Sequence, residues 1–161
     1  MGTSRVRDET MLKRIALGTM ASAVLAALVV TTVWAADIKL EGVKCLVAGS
    51  KAASPDQSAA HKGGKVFFCC GNCKKAFESE PAKFAVKANH QLVVTGQAKQ
   101  AKCPLSGGPC KDDKFVEIAG AKVYFCCDNC KGKVAGAKGD EQAALVFSDA
   151  AFEKAGFKVG K

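Results

Sequence analysis

The sequence predicts an α+β chain of two tandem small modules, each a β-hairpin followed by short helices, behind a signal peptide. Three observations point there: an uncharged apolar run near the start, nine cysteines, and an internal repeat. With 161 residues, 48% hydrophobic and 24% charged, the composition is that of a globular protein. That length holds one ordinary domain or two very small ones. Aromatic residues make up only 7%, so cysteine chemistry is better supplied than stacked rings to organise a core.

The leader is the first element. Lys13-Arg14 precede Ile15 to Trp34, a stretch without a charge, and Val33-Trp34-Ala35 ends it. A basic region, an apolar region and compact residues at the −3 and −1 places are the layout of a secretory signal over residues 1–35, with cleavage expected after Ala35 or one residue later. The alternative is an uncleaved anchor over residues 15–34, which Gly18, Thr19, Ser22, Thr31 and Thr32 argue against by diluting its apolar character. The expectation is therefore an exported protein, periplasmic or extracellular. Removing residues 1–35 takes Arg5, Arg7, Lys13 and Arg14 together with Asp8 and Glu9. Residues 36–161 then carry 20 lysines against 13 acidic groups, a net charge of +7, and keep all nine cysteines.

The repeat divides what remains. Lys65-Val66-Phe67-Phe68-Cys69-Cys70-Gly71-Asn72-Cys73-Lys74 overlies Lys122-Val123-Tyr124-Phe125-Cys126-Cys127-Asp128-Asn129-Cys130-Lys131 at an offset of 57, with eight of ten positions identical. Upstream, Lys44-Cys45 matches Lys102-Cys103 and Gly49 matches Gly107, after a one-residue gap. The modules are drawn at 36–96 and 97–161. Neither buries much core alone, since chains this short need a metal, a disulfide or a partner.

In the second module, Phe115 to Ile118, a turn at Ala119-Gly120-Ala121, and Lys122 to Phe125 read as a hairpin. Ser58 to His61, Lys62-Gly63-Gly64 and Lys65 to Phe68 take the same place in the first. Helices follow the cysteine clusters, capped by Gly71 or Asn72 and by Asp128-Asn129, with Phe77 directed inward. Pro81 starts another helix carrying Phe84 and Ala88 on one face. Asp140 to Phe147 forms a further one, which Ser148 follows as the cap of a last short helix closed by Gly156. Gln91 to Thr95 reads as a strand joining the modules.

Cys69 at a strand end and Cys73 in the first helical turn converge on one point, and Cys45 supplies a third sulfur from the loop before the hairpin. Cys103, Cys126 and Cys130 repeat the set. A helix N-terminus favours thiolate over thiol, and thiolates select zinc, copper(I) or other thiophilic ions over magnesium or calcium. Cys70 and Cys127 either face outward or rotate in as fourth ligands.

A lone cysteine followed some twenty-odd residues later by Phe-Cys-x3-Cys and an aromatic resembles the TRASH and YHS class of small metal-binding modules. The first module matches with Cys45, Phe68-Cys69, Cys73 and Phe77. The second matches with Cys103, Phe125-Cys126 and Cys130, with Val134 at the aromatic place. Ala48 and Ser106 stand where zinc-binding relatives often carry a second knuckle cysteine. The resemblance implies a treble-clef-like hairpin-plus-helix fold and a role in heavy-metal sensing, trafficking or resistance.

Two rival readings use the same cysteines. Export exposes thiols to oxidation, which would bridge Cys45 to Cys69 or Cys73 and Cys103 to Cys126 or Cys130. Nine is odd, and Cys110, with Ala52 or Ala53 at its place in the first module, is the candidate odd thiol. The second rival is thiol–disulfide exchange at Cys70-x2-Cys73 and Cys127-x2-Cys130, but each module is too short for a thioredoxin sheet. His61, with Ile118 as counterpart, and His90, near a helix end, read as structural or surface residues, with metal-site completion by His61 the minority view. The lysines are dispersed without interleaved aromatics, so no nucleic-acid partner is expected. Weak, salt-sensitive association with an anionic envelope surface is compatible with the charge. No paired carboxylates, nucleophile–base set or phosphate loop is present, and no enzyme is read. The expected function is binding of one zinc or copper(I) ion per module.

Overall fold

Each half begins with a cysteine-bearing loop closed by one antiparallel bridge, Lys44 with Ala52 in the first half and Lys102 with Pro109 in the second. The computed structural model describes residues 38–160 and is mixed α+β, with five helices and small antiparallel sheets. The signal peptide expected over residues 1–35, its cleavage site and the anchor alternative lie outside the described residues.

After the first loop, β1 (Ser54–His61) pairs with β2 (Gly64–Phe68). The turn residues Lys62 and Gly63 both have left-handed backbone, φ 47° and 86°. That double left-handed turn matches the twist of the flanking strands. The helix α1 (Gly71–Ser79), a 3-10 turn at Pro81–Phe84 and the helix α2 (Ala85–Val94) follow, then the two-residue strand β3 (Ala98–Lys99). The second half repeats the hairpin as β4 (Lys111–Ile118) and β5 (Ala121–Phe125), again with two left-handed turn residues, Ala119 and Gly120. Even the irregularity is repeated: the register shifts between Ser54 and Ser58 in one hairpin and between Lys111 and Phe115 in the other. The helices α3 (Asp128–Gly136), α4 (Gly139–Phe147) and α5 (Asp149–Lys154) lead to β6 (Lys158–Val159), which pairs antiparallel with β3.

Two sequence expectations are corrected. Gln91 to Thr95 is the end of α2 and its cap, not a strand. The run Leu92-Val93-Val94 is β-prone, but Ala85, Ala88 and Leu92 fall on one buried helical face, and that packing overrides local preference. The first helix of each half is capped one residue earlier than expected, by Cys70 and Cys127, both with extended backbone, so Gly71 and Asp128 are already helical.

The cores interlock. Around Val66, Phe68, Phe77, Ala88 and Leu92 the first core also takes Phe152 from α5. Around Ile118, Val123, Phe125, Val134, Val146 and Phe147 the second core is backed by Val86, Val93 and Val94 from α2. The described residues form one compact unit, and the 96/97 division falls between α2 and β3 within it. A polar bridge completes the junction. Buried Asn89 on α2 donates to the Phe147 carbonyl at 2.9 Å and to Asp149 at 2.8 Å, accepts from His61 Nε2 at 2.9 Å, and Lys62 pairs with Asp149 at 3.1 Å. His61 is thereby engaged in structure. His90 likewise donates from Nε2 to the carbonyl of Ile118 at 3.1 Å, at the end of β4 beside the turn of the other hairpin.

Candidate metal centres

The first cysteine of each half sits in a tight knuckle. The N–H of Gly49 returns to the carbonyl of Cys45 at 2.8 Å, and the N–H of Gly107 to that of Cys103 at 2.8 Å. Both glycines have left-handed backbone, φ 69° and 75°, which a side chain would strain. The bridges align Ala52 with Pro109, so Ser50 is the extra residue of the first loop and Ala53 the counterpart of Cys110.

A glutamine carboxamide brings each knuckle to its hairpin. Gln91 on α2 accepts from the N–H of Phe67 and donates to the carbonyls of Phe67 at 3.0 Å and Lys44 at 3.1 Å. Gln100, just after β3, accepts from the N–H of Tyr124 at 2.9 Å and donates to the carbonyls of Tyr124 at 2.7 Å and Lys102 at 2.8 Å. Each side chain ties the residue before the first cysteine to the residue two before the second. Gln97 binds Lys65 on the same strand edge, donating to its carbonyl at 2.7 Å and accepting from its N–H at 2.8 Å. These carboxamides satisfy outward backbone groups that a two-stranded sheet would otherwise leave open.

With the knuckles pinned, the sulfurs meet. Cys45, Cys69 and Cys73 place their Sγ atoms within 4.8 Å of one another, as do Cys103, Cys126 and Cys130. Cys69 and Cys73 lie 3.7 Å apart, and so do Cys126 and Cys130. A thiolate–zinc bond of about 2.3 Å puts sulfurs sharing one ion about 3.8 Å apart at tetrahedral angles, so the donor set fits a thiophilic ion in type and spacing. These contacts are far longer than a disulfide of about 2.05 Å, and all nine cysteines are free thiols. The bridges weighed for Cys45 and Cys103 thus correspond to proximity without a bond. Cys70 and Cys127 lie 3.8 and 3.6 Å from the neighbouring Cys69 and Cys126 sulfurs but outside the two triads.

Burial divides each triad. The first cysteines, Cys45 and Cys103, are buried, and their partners are half exposed, so each centre has a closed floor and an open rim. At Cys45 burial raises the thiol, but the N–H groups of Ala48, Cys69 and Val47 outweigh it and bring it below its usual range. At Cys103 burial is overcome by the Ser106 hydroxyl and the N–H groups of Ser106, Cys126 and Leu105, which bring the thiol down to about 6. Cys73 and Cys130 are pushed up to about 12, first by desolvation and then by neighbouring sulfurs. Cys69 is raised by desolvation and by the Cys45 sulfur. At the helix N-termini the N–H groups of Cys73 and Asn72 draw Cys70 down, and those of Cys130 and Asn129 help to do the same for Cys127. Without an ion the sulfurs of one triad compete for protons; a bound cation would relieve that competition.

Sequence reasoning identifies all six triad cysteines but not the glutamines. Their roles are equivalent, yet at the offset of 57 Gln91 faces Ser148 and Gln100 faces Val43, so aligning the repeat hides them. No family model, curated protein or solved structure matches the chain. The reading of the centres rests on their own geometry. Cys110 lies beside the second centre, donating to the carbonyl of Tyr124 at 3.4 Å and accepting from Gln100 at 3.5 Å.

Proposed function

We propose that this is an exported, non-enzymatic protein that binds one thiophilic ion, zinc or copper(I), in each cysteine centre, in a heavy-metal handling or sensing role. The observation that carries the reading is the twofold convergence of three sulfurs from two distant stretches of chain within 4.8 Å. The likeness of Cys45, Phe68-Cys69, Cys73 and Phe77 to TRASH and YHS modules supports it. Cys45, Cys69 and Cys73 would hold one ion, Cys103, Cys126 and Cys130 the other, with Cys70 and Cys127 available from the rims. Zinc would tie metal binding directly to folding; copper(I) suits three thiolates and points to metal handling.

Native mass spectrometry of protein purified under reducing conditions tests this. Two ions per chain are expected, both removable by a chelator, with Cys73→Ser and Cys130→Ser each losing one. A chain that stays metal-free when offered zinc and copper(I) overturns the reading. The lowered thiols of Cys70 and Cys127 at helix N-termini favour thiol–disulfide exchange as the second reading. Turnover in an insulin-reduction assay, abolished by Cys70→Ser, would support it.

A further inference from the structure

The two centres share their cysteines but not the knuckle position three residues after the first one. In the second half Ser106 Oγ lies 3.1 Å from Cys126 Sγ and accepts the N–H of Gly108 at 3.2 Å. A thiolate has no proton to give, so when Cys126 is ionised, as a metal ligand must be, the Ser106 hydroxyl is the donor in this contact. It turns to Cys126 from the buried Cys103 sulfur, which it otherwise favours. The knuckle thereby reaches across the centre to hold the cysteine that comes from the hairpin. In the first half Ala48 occupies this place. Its N–H donates to Cys45 Sγ at 3.4 Å, an interaction within the knuckle itself, and it has no group to reach Cys69. The neighbouring Ser50 hydroxyl donates to the carbonyl of Ala48 at 3.5 Å.

We propose that the centres are graded and that Ser106 is the positioning residue that makes the second centre fill first. The proposal rests on the metal-binding reading above. A sulfur already oriented by a hydroxyl loses less freedom when an ion arrives, and its negative charge is spread into the O–H. Hydrogen bonds of this kind to ligands shift metal affinity by about 10–100-fold.

The test isolates each centre in the full reduced chain. Cys73→Ser leaves the second centre and Cys130→Ser the first, and each is titrated with zinc against a competing chelator. The second centre is expected to bind zinc about 10–100-fold more tightly. Ser106→Ala in the Cys73→Ser background closes that gap, and Ser106→Thr, which keeps the hydroxyl, restores it. Ala48→Ser in the Cys130→Ser background narrows the gap from the other side. Cobalt(II) gives a readout independent of stability, since its sulfur-to-metal absorption should move with Ser106→Ala at the second centre only. Equal affinities, or a gap that survives Ser106→Ala, overturn the proposal while leaving the function intact. If neither centre takes zinc or cobalt(II), the proposal is overturned, and the functional reading falls with it when copper(I) is refused as well.

Discussion

The two halves place three sulfurs in the same way but use different parts of the chain to do it. In the first, the carboxamide that joins knuckle to hairpin comes from the helix α2 of the same half, while in the second Gln100 comes from the segment just after β3, ahead of the knuckle. The cores differ likewise: Phe77 fills the first beneath its cysteines, and Val134, fully buried, stands at that position in the second, where α2 packs alongside. What is duplicated is the position of the sulfurs and the turn of the hairpin; the supporting packing is not. The first half depends on residues more than fifty positions away, the second on the helix that precedes it.

The largest expected break in this comparison is remote from either centre. Phe152 lies in the second half but in the first core, stacked on Phe157 with ring centroids 4.5 Å apart. Phe152→Ala should cost about 3–5 kcal/mol of unfolding free energy and loosen the first centre more than the second, measured by urea denaturation and by metal retention in Cys130→Ser and Cys73→Ser backgrounds. Next come the glutamines. Gln91→Ala strands the N–H of Phe67 and the carbonyls of Phe67 and Lys44, at about 1–3 kcal/mol for a buried group left unpaired. It should weaken zinc at the first centre about tenfold, and Gln100→Ala should do the same at the second. Equal weakening at both centres by either variant would mean that the carboxamides stabilise the whole chain instead of positioning one knuckle each.

A glycine sharpens the contrast further. A Cβ on Gly64 would lie 2.7 Å from Leu92 Cδ2 and 2.9 Å from Val159 Cγ1, whereas its counterpart Ala121 is itself buried in the second core. Gly64→Ala should cost about 1–3 kcal/mol through overpacking, in the same denaturation assay. The smallest effect is a pH dependence. Burial holds His90 below its ordinary value of 6.5, against the carbonyls of Ile118 and Ala119, which favour the charged ring. Because the folded value is the lower one, its contribution is complete above the unfolded value and is lost as pH falls through the folded one. Metal-free wild type should lose stability as pH falls below about 6.5, and His90→Gln should flatten that slope in thermal melts.

The hairpins and triads were legible because they rest on local signals: double left-handed turns at Lys62-Gly63 and Ala119-Gly120, and a duplicated Cys-Cys-x2-Cys with its upstream cysteine. The end of α2 was misread because Leu92-Val93-Val94 favours extended chain in isolation, and only contact with Phe68 and Val66 in the folded core makes a helical face useful there. The caps were misplaced by one residue because cysteine is an unusual cap and makes no side-chain cap hydrogen bond here, so its residue type does not mark the position. The interlocking of the halves leaves no trace in a repeat, since Phe152 and Leu92 are related by neither identity nor offset.

The pairing of β3 with β6 has a consequence for how the protein is made. Ala98 finds its hydrogen-bonding neighbour only at Val159, and the first core is closed only when Phe152 arrives. During synthesis the earlier half must wait with its thiols uncovered until α5 and β6 have followed it. The interval before they arrive is the time when premature oxidation of those thiols has the freest hand.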